Sequence, residues 1–407
     1  MRPFGSLLPF DEAENIVMSH ILPIERVEEV SLEDCAGRVL AEDIIATMDN
    51  PPFSRAAVDG YALRAKDTFG ASRQNPKDLS IIGVLHAGSK DRLKVKPGEC
   101  VQVATGAPLP DGADAVVMVE DALKSDNKIQ ILRPLYPGSG IARRGEDSHK
   151  GEVLLKKGEV LTPARVGVLA SQGRGKITVY QKPEVAIIPT GEEVRKVGER
   201  LRRGEIYDIN SYSLGAVVME NGGKPIRFDV AADRPETLDR ILEEALKFDI
   251  VVLAGGSSVG ERDLAIGVLS KKGEVFFHGV QIKPGKPTLF ALINGKPVLG
   301  LPGYPTSCLI NAYLLLVPAL RMMARLPARS RITLRGMLNE RVPGSVGRRQ
   351  FLPARLEAGR VVPIFKESGT ITGVAKADGY IIVPENVDIV EAGEEVEVVL
   401  FNNAIGA

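Results

Sequence analysis

The chain has 407 residues, 44% of them hydrophobic and 26% charged, the composition of a folded globular protein with length for roughly two to four domains. Lysine plus arginine and aspartate plus glutamate both number 52, so no net field draws the protein to nucleic acid or to a membrane surface. The three cysteines, Cys35, Cys100 and Cys308, fit neither a disulfide framework nor a zinc pattern, and the four histidines are not spaced for a metal centre. No Gly-x-Ser-x-Gly elbow and no phosphate-loop lysine motif occurs. Chemistry is left to carboxylates, hydroxyls, lysines, arginines and backbone amides. Residues 1–14 lack the basic-then-apolar order of a signal peptide. The most apolar stretch, 309–320, is short for a bilayer and contains Asn311 and Pro318, so a soluble cytoplasmic protein is expected.

Taken in order, residues 10–46 read as helical, with Ile16, Ile21 and Val39 among the apolar positions. The character changes at Asp49, where Asn50-Pro51-Pro52-Phe53-Ser54-Arg55 makes a stiff loop. Asp59-Gly60 then lies between apolar residues, and on spacing alone it suits a type I′ hairpin turn. Short alternating runs at 79–85, 100–104, 115–119 and 128–132 predict a small β domain. Inside it, the prolines of Ala104-Thr105-Gly106-Ala107-Pro108-Leu109-Pro110 would hold the Thr105 hydroxyl still, although composition alone favours a solvated proline turn. Arg143-Arg144-Gly145-Glu146-Asp147 reads by itself as an exposed charged turn. Residues 151–180 carry hairpin and helix signals and read as the chain returning to pack against its own N-terminal helices.

From Pro183 strands alternate with helices, which implies a parallel, doubly wound sheet. Strands are expected at 185–188, 226–230 and 250–254, and helices at 211–221, 263–271 and 306–325. The spacing of Leu238, Ile241, Leu242, Ala245 and Leu246 predicts one more amphipathic helix. Ligands gather at the carboxyl ends of strands in such sheets, where Glu193, Asp233 and the loop Gly255-Gly256-Ser257-Ser258-Val259-Gly260 would lie. A strand, a glycine-rich turn and a helix start make an anion site, because unpaired N–H groups of the first helical turn point at the ligand. Asp263 suits that helix start as well, as an acid complementing the dipole. Lys283-Pro284-Gly285-Lys286-Pro287 pins two lysines between prolines, where little entropy remains to be lost on binding an anion. Gly300-Leu301-Pro302-Gly303-Tyr304-Pro305 is a second stiff turn. Residues 331–407 alternate like strands, with turns at Glu357-Ala358-Gly359-Arg360 and Ala377-Asp378-Gly379-Tyr380, and read as a separate β domain. The arginine-rich segment 321–349 is read as helix-end and linker charge in preference to a basic rim.

Pro51-Pro52-Phe53 with Val58-Asp59-Gly60-Tyr61-Ala62, Thr105-Gly106-Ala107-Pro108, Arg144-Gly145-Glu146-Asp147, Pro189-Thr190-Gly191-Glu192-Glu193, the 255–260 loop with Asp263, the 283–287 loop and the 300–305 turn follow one another across nearly the whole chain. In this order the set resembles the molybdopterin molybdenumtransferases, MoeA-type proteins like the E domain of gephyrin. The resemblance implies insertion of molybdate into adenylylated molybdopterin, with release of AMP and of finished molybdenum cofactor, and with magnesium as the divalent cation. It implies an elongated homodimer whose subunit has four domains: residues 1–46 with 145–180, an elongated helical and β dimerisation domain; 47–144, a small β domain; 181–326, the doubly wound α/β molybdopterin-binding domain; and 327–407, a C-terminal β domain. The functional groups it implies are Asp59, Thr105, Asp147, Glu193, Asp233 and Asp263, with Glu193 and Asp263 holding magnesium. Its pterin-nucleotide contacts fall on Gly255, Gly256, Ser257, Ser258, Gly260, Lys283, Lys286, Pro302, Pro305 and Ser307. The adenylyltransferase and acceptor molybdoenzymes are implied as protein partners, and nucleic acid and membrane are not.

The chain departs from the pattern of bacterial relatives at Ala142 and Gly279, where a further basic residue often stands, and at Ser257 in a variable loop position. These changes bear on oxyanion affinity more than on reaction class, and tungstate is as suitable as molybdate in size and charge. Two other functions share parts of the signature. An adenylyltransferase acting on molybdopterin would have a similar α/β domain without the extra β domains, and a non-catalytic scaffold would have less need of so many loop carboxylates.

Overall fold

The structure is a computed structural model that describes residues 7–231, 234–255 and 264–401. The chain divides into two compact units, residues 29–36 with 40–179, and residues 1–28 with 37–39 and 180–407.

The first unit is built on a six-stranded sheet: β1 (Gly60–Leu63), β2 (Lys77–Leu85), β3 (Glu99–Val103), β4 (Ala115–Met118), β5 (Ala122–Ser125) and β6 (Lys128–Ile131), in the order β4-β1-β3-β2-β6-β5. Alternation along the strands sends side chains to two cores. Tyr61, Leu63, Leu79, Cys100, Val117 and Ile129 fill one, and Ala62, Leu85, Val101, Val103 and Val116 fill the other. Asp59-Gly60 is not a hairpin turn. Gly60 opens β1 between Val103 and Met118 of its two neighbours, and a Cβ there would come within 1.7 Å of the Val117 carbonyl oxygen. The glycine is required by close approach of backbone, with no left-handed conformation involved. A third cluster, around Leu40, Ile44, Leu161, Leu169 and Ile177, forms where Val153–Leu155 pairs with Ile44–Ile45 beneath the helix Pro163–Ser171.

The expected helix over 10–46 ends early. Helix α1 (Phe10–Ser19) buries Phe10, Ala13 and Val17 on one face, but Val27–Ser31 and Ile44–Ile45 are strands. Pro23 and the β-branched pattern Val27-Glu28-Glu29-Val30 explain the break.

In the second unit the strands are β7 (Glu184–Pro189), β8 (Lys224–Arg227), β9 (Ile250–Ala254), β10 (Glu274–His278), β11 (Leu289–Ile293) and β12 (Lys296–Leu301), ordered β8-β7-β9-β12-β11-β10. Both faces are covered, as continuous buried runs such as Ile250–Ala254 require. Val185, Ile187, Ile250 and Val252 pack with helix α2 (Asn210–Glu220) and with the helical segment α5 (Pro305–Met323). Ala186, Ile188, Val251 and Leu253 meet α3 (Pro235–Ala245) and α4 (Leu264–Lys272). The sheet is mixed, where the alternation of strands and helices predicted a parallel one: β11 is antiparallel to β12 and to β10. The cause is local. Asn294 and Gly295, both at positive φ, close a two-residue hairpin between Ile293 and Lys296, the geometry that Asn-Gly favours.

Segment α5 is longer than the 309–320 run suggested. By length and composition it could cross a membrane, yet 72% of its most apolar window is buried inside the protein. Residues Ala312–Leu316 widen to a π turn just before Pro318, whose missing N–H and ring cannot be accommodated in a regular α-helix.

The C-terminal strands β13 (Thr333–Leu338), β14 (Arg349–Glu357), β15 (Arg360–Pro363), β16 (Gly379–Val383) and β17 (Glu395–Leu400) close on themselves in the order β14-β15-β13-β17-β16, with β16 returning to β14. Closure leaves the five strands without free edges around a core of Leu338, Ala354, Val361, Ile381 and Val398. Ala358-Gly359, at positive φ, makes the expected turn between β14 and β15. The two-residue strand Ile282–Lys283 adds to β14, tying the α/β layers to the barrel. Arg349 does the same for α1, with paired hydrogen bonds of 2.6 and 2.9 Å to Asp11 and two more to Glu385.

Replacing Gly60 by alanine should cost about 3 kcal/mol or more, because the opposing atoms are backbone and cannot move aside. Thermal unfolding would show it as a lowered Tm, and an unchanged Tm would contradict the close approach.

Candidate functional site

Three strand ends meet at one place in the second unit. The Thr190 N–H donates to the Ala254 carbonyl at 3.1 Å and the Gly255 N–H to the Leu301 carbonyl at 3.0 Å, so β7, β9 and β12 stop side by side. Gly255 sits at φ 108°, and a Cβ there would come within 2.8 Å of the Thr190 hydroxyl; a Cβ on Gly303 would lie 3.6 Å from the Gly255 Cα. The loops leaving these strands line a cavity of about 1310 Å³. That volume exceeds an ordinary small-ligand pocket and suits a ligand of dinucleotide size.

The wall facing the barrel carries positive charge. Lys283 is exposed, Lys286 and Arg348 are half-buried, and Lys366 and Ser368 come from the segment after β15. The 283–287 loop is held from behind by Asn311 of α5, which is fully buried. Its amide nitrogen donates to the carbonyls of Ser307 (2.7 Å) and Pro284 (3.2 Å), and its oxygen accepts from the Thr288 hydroxyl (3.1 Å). Gly285 must be glycine here, since a Cβ would lie 1.8 Å from the Asn311 amide nitrogen. Buried amides with every group engaged fix geometry strongly, so the two lysines project from a rigid base.

At the start of α5, Pro302 and Pro305 supply no N–H and serve to set the turn. The Thr306 N–H is taken by the Ser368 carbonyl at 3.0 Å and its hydroxyl by Thr370, while Ser307 lines the cavity from a buried position. Across the cavity, Asp208 caps α2 by accepting from the Ser211 N–H at 3.0 Å and from its hydroxyl. Glu193 stands exposed at the mouth and Glu205 is tied to Arg195. Hydrogen bonding from the Arg202 N–H holds the Glu205 carboxyl below its ordinary range, with Arg195 adding to the effect.

Of the residues singled out in the sequence, Glu193, Gly255, Lys283, Lys286, Pro302, Pro305 and Ser307 all line this cavity. Asp233, Gly256, Ser257, Ser258, Gly260 and Asp263 lie outside the described residues. Thr190, Asn210, Arg234, Arg348, Gln350, Lys366 and Ser368 also line it. Arg348 belongs to the segment read as linker charge, and the Pro-Thr-Gly turn was the only sequence signal for Thr190. Nothing local marked Asn210 or Gln350.

Asp59, Thr105 and Asp147 belong to the other unit. The Asp59 carboxylate accepts from the Thr105 N–H (2.7 Å) and hydroxyl (3.0 Å), so it fixes the 104–110 loop. Asp147 accepts from the Asn50 side chain at 2.7 Å, and Arg144 pairs with Asp49 at 2.6 Å. The Arg144 N–H donates to the Ser54 hydroxyl, and the Leu109 N–H to the Ser54 carbonyl, so these three loops form one continuous strap.

Cys308 and Cys100 are fully buried, and desolvation raises both thiols, that of Cys100 to about 12, which leaves neither as a nucleophile. Among the described residues no group of three or more His, Cys, Asp or Glu is placed to hold a metal ion. Magnesium is compatible with a sparser set, because it is commonly held by one or two carboxylates together with water and substrate phosphates. Glu193 at the mouth of the cavity suits that role.

Three family models match the chain: the MoeA N-terminal region (domain I and II) over residues 8–173, a molybdopterin binding domain over 186–322, and the MoeA C-terminal region (domain IV) over 335–401. The chain is similar to a molybdopterin biosynthesis protein of Methanocaldococcus jannaschii, 36% identical over 98% of this chain and 100% of that one. It is also similar to the molybdopterin molybdenumtransferase of Bacillus subtilis, 33% identical over 98% and 95% of the two chains. A crystal structure of a molybdopterin biosynthesis MoeA protein from Pyrococcus horikoshii superposes with a TM-score of 0.83 at 44% identity, covering 98% of this chain and all of that one.

Hydrogen bonding from the Thr105 N–H first, and from its hydroxyl second, holds the Asp59 carboxyl below its ordinary value of 3.8. A depressed carboxyl supports the folded loop at pH above that value, and the support is lost as pH falls through the lower folded pKa. Replacing Thr105 by alanine removes only the second bond. An NMR titration should show the Asp59 midpoint rising towards, but not reaching, 3.8; an unmoved midpoint would contradict the hydroxyl contact.

Proposed function

The chain belongs to the MoeA family of molybdopterin molybdenumtransferases, and from that membership together with the cavity we infer that it inserts molybdenum into molybdopterin during molybdenum cofactor biosynthesis. The observation that carries the reading is the pair Lys283 and Lys286, carried on a bolted loop beside the ends of β7, β9 and β12 in a cavity of dinucleotide size. The substrate we propose is adenylylated molybdopterin, with AMP as leaving group and molybdate or tungstate as the second substrate.

Opening a phosphoanhydride builds negative charge on the departing phosphate. Lysines carried on a fixed loop stabilise that charge with little reorganisation, which is where most of the rate gain is expected. The cavity walls hold the pterin nucleotide and the oxyanion in one frame, so catalysis is positioning together with charge stabilisation, and no covalent enzyme intermediate is needed. Magnesium, held by Glu193 with Asp263, would neutralise phosphate charge when bound. Asp233, Asp59, Thr105 and Asp147 are proposed to act in the same reaction, Gly256, Ser257, Ser258 and Gly260 to contact the nucleotide, and the working assembly is proposed to be a cytoplasmic homodimer.

AMP release from bound adenylylated molybdopterin, with magnesium, on adding molybdate or tungstate in separate reactions tests this directly. Oxyanion-dependent release is expected, and the anion effective at lower concentration identifies the metal. Lys283→Ala should slow release about a hundredfold without changing the oligomeric state. Tight binding with no release would make the chain a carrier, and ATP consumption with free molybdopterin would make it an adenylyltransferase.

A further inference from the structure

The loop that carries Lys283 and Lys286 has no core of its own. No side chain of residues 283–287 is fully buried, so apolar packing does not place them. Pro284 and Pro287 restrict the backbone locally, but a restricted loop can still swing as a body. What locates it is a set of hydrogen bonds to its carbonyls. The Pro284 carbonyl accepts from the Asn311 amide at 3.2 Å, and the Gly285 carbonyl accepts from the Thr288 hydroxyl at 2.7 Å. The Lys286 carbonyl accepts from the Val280 N–H at 2.9 Å and from the Thr288 N–H at 3.0 Å.

Two of these donors are side chains, Asn311 and Thr288, and both residues are fully buried. They also meet each other. The Thr288 hydroxyl lies 3.1 Å from the Asn311 side-chain oxygen, and it shares its single hydrogen between that oxygen and the Gly285 carbonyl. Both hydrogens of the Asn311 amide are spent, on Pro284 and on Ser307, four residues back along the helix. Asn311 is the last residue before the π turn Ala312–Leu316. Its neighbours Ile310 and Ala312 belong to the apolar core, which fixes where the amide stands. The core anchors the two side chains, and they anchor the loop.

We propose that Asn311 and Thr288 are positioning residues for the transferase reaction, acting through Lys283 and Lys286 by keeping their loop where negative charge develops on the departing phosphate. This rests on the molybdenumtransferase reading and goes beyond it, because neither residue lines the cavity. A lysine on a loosened loop still binds phosphate in the ground state. It must be reordered to meet the transition state, so kcat falls while KM changes little.

Thr288→Val keeps the branched shape and removes the hydroxyl, whereas Thr288→Ser keeps the hydroxyl and loses only a methyl group. AMP release is measured on the full chain with adenylylated molybdopterin as the varied substrate and molybdate present, well below the Tm of each variant. Valine should lower kcat about tenfold and leave KM within about twofold, and serine should restore kcat to near the wild-type value. The decisive readout is the valine substitution in chains that lack one lysine. Acting through both cations, the hydroxyl should then matter about threefold beside Lys283→Ala and about threefold beside Lys286→Ala. A full tenfold loss in both backgrounds means that Thr288 acts on the fold at large, and overturns the proposal. So does a valine variant with unaltered kcat, or a serine variant as slow as the valine one. Wild-type AMP release keeps the two readings apart. Release by the wild type with any of those three results sinks only the positioning role, whereas no release from the wild type sinks the transferase assignment and the positioning role with it.

Discussion

The cavity depends on one buried amide. Asn311 lies fully buried in a largely apolar helical segment, where an unpaired side-chain amide would be costly. It is paired on both sides, to Pro284 and Ser307 through its nitrogen and to Thr288 through its oxygen. Those bonds fasten the loop carrying Lys283 and Lys286 to the start of the segment whose turn closes the cavity. Removing them would leave two cations on a loop with no fixed relation to the strand ends. The hydrophobic surroundings give the amide its strength, since no water competes for its partners.

The same logic of rigid polar groups on a packed frame runs through the site. The central strands β7 and β9 are buried on both faces, so packing fixes their ends and with them the loops that leave there. Gly255 and Gly303 let two of those loops touch. The closed barrel contributes Arg348, Gln350, Lys366 and Ser368 from a separate core, linked to the α/β layers by the Lys283–Gln350 strand pairing and by the Asp11–Arg349–Glu385 contacts. A site assembled from two cores can be altered at its cationic wall without disturbing the strand ends.

Much of this organisation is legible in the chain itself. The runs Val185–Ile188 and Ile250–Ala254 read as buried strands, and the spacing in Pro235–Ala245 reads as a helix with one apolar face, as the structure has them. Glycine and proline marked the loops at 283–287 and 302–304 correctly, because their backbone restrictions act within a few residues. Asn294-Gly295 was equally local and would have revealed the antiparallel strand β11. The alternation of strands and helices points the other way, to a uniformly parallel sheet, because it carries no information on a single hairpin. Asp59-Gly60 failed in the opposite direction. It has the composition of a turn, but Gly60 is demanded by a neighbouring strand, and Asp59 is occupied by Thr105, 46 positions away.

By itself the sequence determined the family and the order of the loops, since these follow from motif spacing and periodicity along the chain. Only the tertiary structure decided that the last five strands close into a barrel, that Arg348 joins the lysines, and that Asn311 bolts their loop. Among the described residues, it alone showed that three lining the cavity, Thr190, Asn210 and Gln350, each have a buried polar atom without a partner. Each of these is a relation between residues far apart in the chain. Whether a buried polar atom is satisfied depends on what the fold places beside it, and no local pattern of residues encodes that.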